Sequence, residues 1–93
     1  MSRYTVMWNR DLESDFINIW LASDSSIRSA LTRASDWIDQ KLALDPESQG
    51  RPLEETAYRI LIVPGTEPLR VEVVYEVIPL DRQVRIVNIR FGM

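Results

Sequence analysis

One change of rhythm constrains this chain more than any other feature. From Leu12 to Leu42 the apolar side chains recur three or four positions apart, whereas from Leu69 to Phe91 they fall at alternate positions. The first spacing is that of a helix with one apolar stripe; the second is that of a strand with two faces. The switch lies at Asp45-Pro46, where the proline pushes the residue before it out of the helical region. Seven of the eight valines follow residue 62, as β-branched side chains do when a sheet is being built. Helices therefore come first and a sheet afterwards, which is an α+β pattern.

The elements can be placed on that pattern. Tyr4-Thr5-Val6-Met7-Trp8 reads as a short N-terminal strand, and Asn9 has the chemistry of a helix cap. A helix is expected from Asp11 to about Ser23, with Leu12, Phe16 and Trp20 four apart and Asp11, Glu13 and Asp15 in its first turns, where the helix dipole favours negative charge. Asp24-Ser25-Ser26 is a turn. A second helix is expected from about Ser26 to Leu44, carried by Ile27, Ala30, Leu31, Ala34, Trp37, Ile38 and Leu42. The short link makes the two an antiparallel hairpin. Residues 46–54 read as a loop with Pro46, Gly50 and Pro52. Three strands follow, at Thr56–Val63, Leu69–Ile78 and Gln83–Phe91, separated by turns at Pro64–Pro68 and Pro79–Arg82. Short turns make them an antiparallel meander. In the second of these strands Val71, Val73, Tyr75 and Val77 share one face. In the third, strict alternation sets Arg85, Val87, Ile89 and Phe91 against Val84, Ile86, Asn88 and Arg90. The expected fold is a single domain over residues 1–93, two antiparallel helices on a four-stranded, largely antiparallel sheet. The first strand joins beside the last or a middle one.

Composition narrows the chemistry. The 93 residues include no cysteine and no histidine, which removes disulfides, thiol nucleophiles, thiolate metal sites and the commonest general base. No P-loop, Rossmann or zinc spacing is present, and no cofactor or metal is implied. Asp36, Asp39, Asp45 and Glu47 read as a solvated face rather than a cation site, since no loop wraps them. The apolar runs are too short to span a membrane, so a cytoplasmic protein is expected. Trp20 and Trp37 lie on the helical stripes and read as core; Trp8 stays open as a stacking surface.

Charge is distributed unevenly. The net charge is −3, all of it arising in residues 1–50, while residues 51–93 balance six arginines against six carboxylates. Arginine forks suit phosphate or carboxylate, so Arg51, Arg59, Arg70, Arg85 and Arg90 are the candidate anion contacts. The competing reading pairs them across strands with Glu72, Glu76 and their neighbours. Tyr58 and Tyr75 are phenols that could serve acid–base chemistry only if arginines pulled their pKa down. Val74, Ile78, Val84 and Ile86 would form an apolar patch needing a cover, such as a second copy of the chain.

The order of elements, with several local runs, resembles the RelE/ParE family of toxins from bacterial type II toxin–antitoxin modules. Tyr4-Thr5-Val6-Met7-Trp8 resembles its opening strand. Leu42-Ala43-Leu44-Asp45-Pro46 with Gly50 resembles its L-x-x-x-P…G link. Leu69 to Val77 resembles its R-V-x-Y-x-V strand, and Val84-Arg85-Ile86-Val87-Asn88-Ile89 its V-x-I-x-x-I strand. The resemblance implies a growth-inhibiting toxin neutralised by a small antitoxin, directed either at the ribosome and its mRNA or at DNA gyrase. It implies anion contacts among the five arginines, and Arg59, Arg85 and Tyr75 as the catalytic candidates of an mRNA endonuclease. The nuclease branch, however, carries an arginine where this chain has Glu72, and a basic run where it has Arg90-Phe91-Gly92-Met93. Those departures favour a gyrase-directed mode or a degenerate, non-catalytic module of the same fold that binds protein.

Overall fold

The computed structural model describes residues 3–92. The elements run β1 (Thr5–Trp8), α1 (Arg10–Ala22), α2 (Ser25–Leu44), β2 (Arg51–Pro52), β3 (Tyr58–Ile62), β4 (Arg70–Ile78) and β5 (Gln83–Gly92), with a single 3₁₀ turn at Pro79–Asp81 between the last two strands. The strands form one sheet in the order β1-β5-β4-β3-β2. β1 lies parallel to β5, with Thr5 opposite Gln83 and Trp8 opposite Ile86; every other pair is antiparallel. The α+β class and the hairpin-then-meander order are as expected. The sheet has five strands rather than four, because Arg51 and Pro52, expected within a loop, pair with Ile60 and Arg59.

Local chemistry sets the helix ends. The Asn9 side chain accepts from the Leu12 amide at 2.8 Å, and Asp24 accepts from the Ile27 amide at 2.9 Å, each satisfying an amide that the first helical turn leaves without a partner. At the far end of α1, Arg28 donates through Nε to the Trp20 carbonyl and through Nη2 to the Leu21 carbonyl, both at 2.9 Å. Its guanidinium lies 4.6 Å from the Trp20 ring centroid. One side chain of α2 thus closes the C-terminus of α1 and fixes the hairpin.

The core lies between α2 and the inner face of the sheet. Leu31, Ile38 and Leu42 of α2 meet Val71, Val73, Val84 and Ile86, and none of these seven exposes any surface. Each fully buried side chain of this size contributes about 1.5–3 kcal/mol by leaving water. α1 is different: it has no fully buried residue. Leu12, Phe16 and Trp20 pack only partly against the core, and Ile17 and Leu21 remain 55% and 59% exposed.

β5 departs from strict alternation. The pairing jumps from Tyr75–Ile86 to Val74–Asn88, leaving Val87 without a partner. This bulge inserts one residue and flips everything after it. Ile89 and Phe91 therefore join Val84 and Ile86 on the core side, and Arg90 shares the outer face with Arg85. The expected apolar patch dissolves as well: Val84 and Ile86, which precede the bulge, stand opposite Val77 and Tyr75 on the core side and are fully buried, and Val74 is 8% exposed.

Candidate anion-binding face of the sheet

The outer face of the sheet carries no helix, and the alternation of β4 places Arg70, Glu72, Val74, Glu76 and Ile78 on it. Across the β4–β5 pair Glu72 stands opposite Arg90 and Glu76 opposite Arg85. Across β3–β4, Ile60 stands opposite Val74 and Ile62 opposite Glu72. β2 then brings Arg51 beside Ile60.

These registers gather three of the five candidate arginines. Arg51, Arg70 and Glu72 border a depression of about 290 Å³ floored by Ile60 and Ile62. Arg70, Glu72 and Arg90 border an adjoining one of about 300 Å³. Arg70 pairs with Glu72 at 3.1 Å while its side chain stays 63% exposed. Among the described residues, Arg51 and Arg90 make no ion pair. Three guanidinium groups around one carboxylate leave the cluster net positive, and all three arginines are exposed. Such a group can hold an extended polyanion through bidentate contacts.

The other two arginines lie elsewhere. Arg85 is on the same face but toward the opposite end of β4 and β5, held by Glu76 at 2.8 Å. Arg59 is on the inner face, opposite Tyr75. Its Nε donates to the Gln49 carbonyl at 3.0 Å and its Nη2 to the Gly50 carbonyl at 3.4 Å. Tyr75 is fully buried, and its hydroxyl lies 2.7 Å from the Pro46 carbonyl oxygen and 2.8 Å from that of Gln49. Burial pushes the Tyr75 phenol above its usual range, opposed by the nearby Arg59 guanidinium. Arg59 and Tyr75 thus grip the loop that leads into β2 and so set the place of Arg51, while the β4–β5 register places Arg70 and Arg90.

Gly50 completes the support. It sits at φ +63°, and a Cβ there would collide with the Ile60 carbonyl oxygen, so only glycine allows β2 to close on β3. Trp8, open as a stacking surface, instead packs partly against the core and donates its Nε1 to Asp39 at 2.9 Å. Tyr58 is half-buried at the first position of β3. Among the described residues no three carboxylates come together as metal ligands would, and no helix is long and apolar enough to cross a membrane. Sequence reasoning missed Ile60 and Ile62 as the floor between the arginines. Their alternation with Arg59 and Leu61 was the available signal, once the face of β3 was known.

No family model matches the sequence, and no curated protein matches it. Among solved structures, an arginine-to-alanine double mutant of the Escherichia coli toxin RelE in the free state superposes with a TM-score of 0.52 over 96% of this chain and 82% of that one, at 11% identity. The architecture is therefore a RelE-like α+β fold.

Proposed function

We propose that this chain is a growth-inhibiting toxin of the type II toxin–antitoxin kind, acting by gripping a phosphate-bearing target on the open face of its sheet. The observation that carries the reading is the convergence of Arg51, Arg70 and Arg90 over Ile60 and Ile62 on a RelE-like scaffold. RNA of the translation machinery is the target class that fits three forks and an apolar floor. The buried, engaged Tyr75 hydroxyl and the Glu72 carboxylate beside the arginines favour binding over strand cleavage. A small antitoxin partner and a cytoplasmic site of action go with this reading.

A second reading is a non-catalytic module that binds protein. It is favoured by the two ion pairs, Arg70–Glu72 and Arg85–Glu76, which place carboxylates among the cations of the same face.

Controlled induction of the chain in bacteria tests both. Arrest of growth, relieved in an Arg51→Glu/Arg90→Glu variant that accumulates as folded protein, supports the toxin reading. Ribosome profiles and plasmid supercoiling then identify whether translation or gyrase is affected. Normal growth with soluble protein accumulating favours the binding module.

A further inference from the structure

On the helical side, remote from the arginine face, an open cleft runs between α1 and α2. One half of it, about 210 Å³, is lined by Trp8, Glu13, Phe16, Ile17, Ser35 and Asp39. The other half, about 240 Å³, is lined by Phe16, Ile17, Trp20, Thr32, Ser35 and Asp36. The halves share Phe16, Ile17 and Ser35 and so form one trough. Its floor is aromatic and aliphatic, and its charged rim, Glu13, Asp36 and Asp39, is wholly acidic. The walls are held in place before any partner arrives: Trp8 Nε1 bonds Asp39 at 2.9 Å, Trp20 Nε1 bonds the Thr32 hydroxyl at 3.3 Å, and the Trp8 and Phe16 rings meet edge-on at 6.0 Å.

We propose that this cleft binds a basic amphipathic helical segment of another protein. From Glu13 to Trp20 the trough spans about 10 Å of helix axis, which two to three turns of a docked helix would cover. Apolar side chains on one face of such a helix would cover Phe16 and Ile17, and lysines or arginines on its flanks would meet Glu13, Asp36 and Asp39. The trough is open along its length, whereas a small-molecule site is a cleft or cavity that buries most of its ligand's surface. A second copy of the chain docked symmetrically would set the acidic rim against itself, which like-charge repulsion opposes. The segment would occupy the helical side only, so the guanidinium cluster would stay accessible while the cleft is filled. The proposal does not rest on the toxin reading, because peptide binding is read without any growth assay.

The test titrates the full chain, followed by tryptophan fluorescence, with two designed helical peptides of about 14 residues. One carries leucine on one face and lysine on its flanks; the other replaces the lysines by glutamates. The lysine peptide should bind and weaken with salt, and the glutamate peptide should not bind. Asp36→Lys and Glu13→Lys should each weaken the lysine peptide by roughly tenfold, whereas Glu54→Lys, away from the cleft, and the Arg51→Glu/Arg90→Glu variant should not. Failure of the lysine peptide to bind, equal binding of both peptides, or equal loss in Glu54→Lys would overturn the proposal. So would a dimeric mass in sedimentation that Ile17→Asp abolishes, which would give the cleft to a second copy.

Discussion

The Tyr75 hydroxyl lies 2.7 Å from the carbonyl oxygen of Pro46, across 29 residues of sequence, and joins the middle of the sheet to the loop that follows the second helix. The same hydroxyl is 2.8 Å from the Gln49 carbonyl, which Arg59 Nε also reaches. A hydroxyl has one proton to donate, so the two carbonyls share it and Arg59 supplies the rest. The loop leads directly into β2 and its Arg51.

Tyr75→Phe should therefore destabilise the fold by about 1–3 kcal/mol, the usual consequence of leaving a buried acceptor, here the Pro46 carbonyl, without a donor. Urea unfolding measures it. The parent should also lose stability in alkali. Because burial raises the folded phenol's pKa, the folded state retains a proton that the unfolded chain releases from about pH 10 upward. This contribution is complete below that pH and disappears as the pH rises through the folded value. The phenylalanine variant should show a shallower decline over the same range.

Gly50→Ala is expected to be worse tolerated than its size suggests. It combines a positive φ with a collision against the Ile60 carbonyl, so the loss should exceed about 1 kcal/mol. The denaturant midpoint reports the loss. Binding of a short RNA should fall with it, since the strand that carries Arg51 is displaced.

Glu72→Gln should act in the opposite direction on binding. It removes the carboxylate that engages Arg70 while leaving the exposed pair's small stability contribution, about 0–1 kcal/mol, as the only loss. Affinity for a short RNA at fixed salt should rise by about 3- to 10-fold, and the salt dependence should steepen as one more guanidinium is freed for phosphate. Filter binding at several salt concentrations checks both. An unchanged affinity would mean that Arg70 does not face the ligand.

Arg28→Ala should loosen the helical hairpin. It removes two donors from the end of α1 and a cation from the Trp20 ring, for about 1–3 kcal/mol in all. Hydrogen exchange should show the amides of α1 less protected while those of β4 and β5 keep their relative order.

The fold was largely legible because periodicity is a property of burial, and the long elements α2 and β4 each bury one face. Leu31, Ile38 and Leu42 repeat at helical spacing because all three meet the sheet, and Val71, Val73 and Tyr75 alternate because β4 runs without interruption. β5 misled because one inserted residue, Val87, reverses the meaning of every position after it, and no residue type at that point announces a bulge. β2 was hidden by its length: two residues, one of them proline, carry no period. The arginines were legible as a set but not as a cluster. Which of them converge depends on the face of β3 that carries Arg59 and on the register that places Arg90 opposite Glu72, and both are decided by pairing between distant segments. The cleft was illegible for another reason. Phe16 and Trp20 look like core residues in sequence, and only the absence of fully buried residues in α1 shows that their cover is incomplete.

The parallel pairing of β1 with β5 has a consequence for how the molecule is made. Thr5 finds its neighbour in Gln83, so β1 has no strand of this sheet to pair with until β5 has emerged from the ribosome. During synthesis the two helices can form and associate, being local, and β3 and β4 can pair next, but the part of the core that needs Val84 and Ile86 stays open. The nascent domain is thus held partly open, with β1 unmatched, until β5 is made. Whatever this protein does when finished, it cannot begin until β5 is complete.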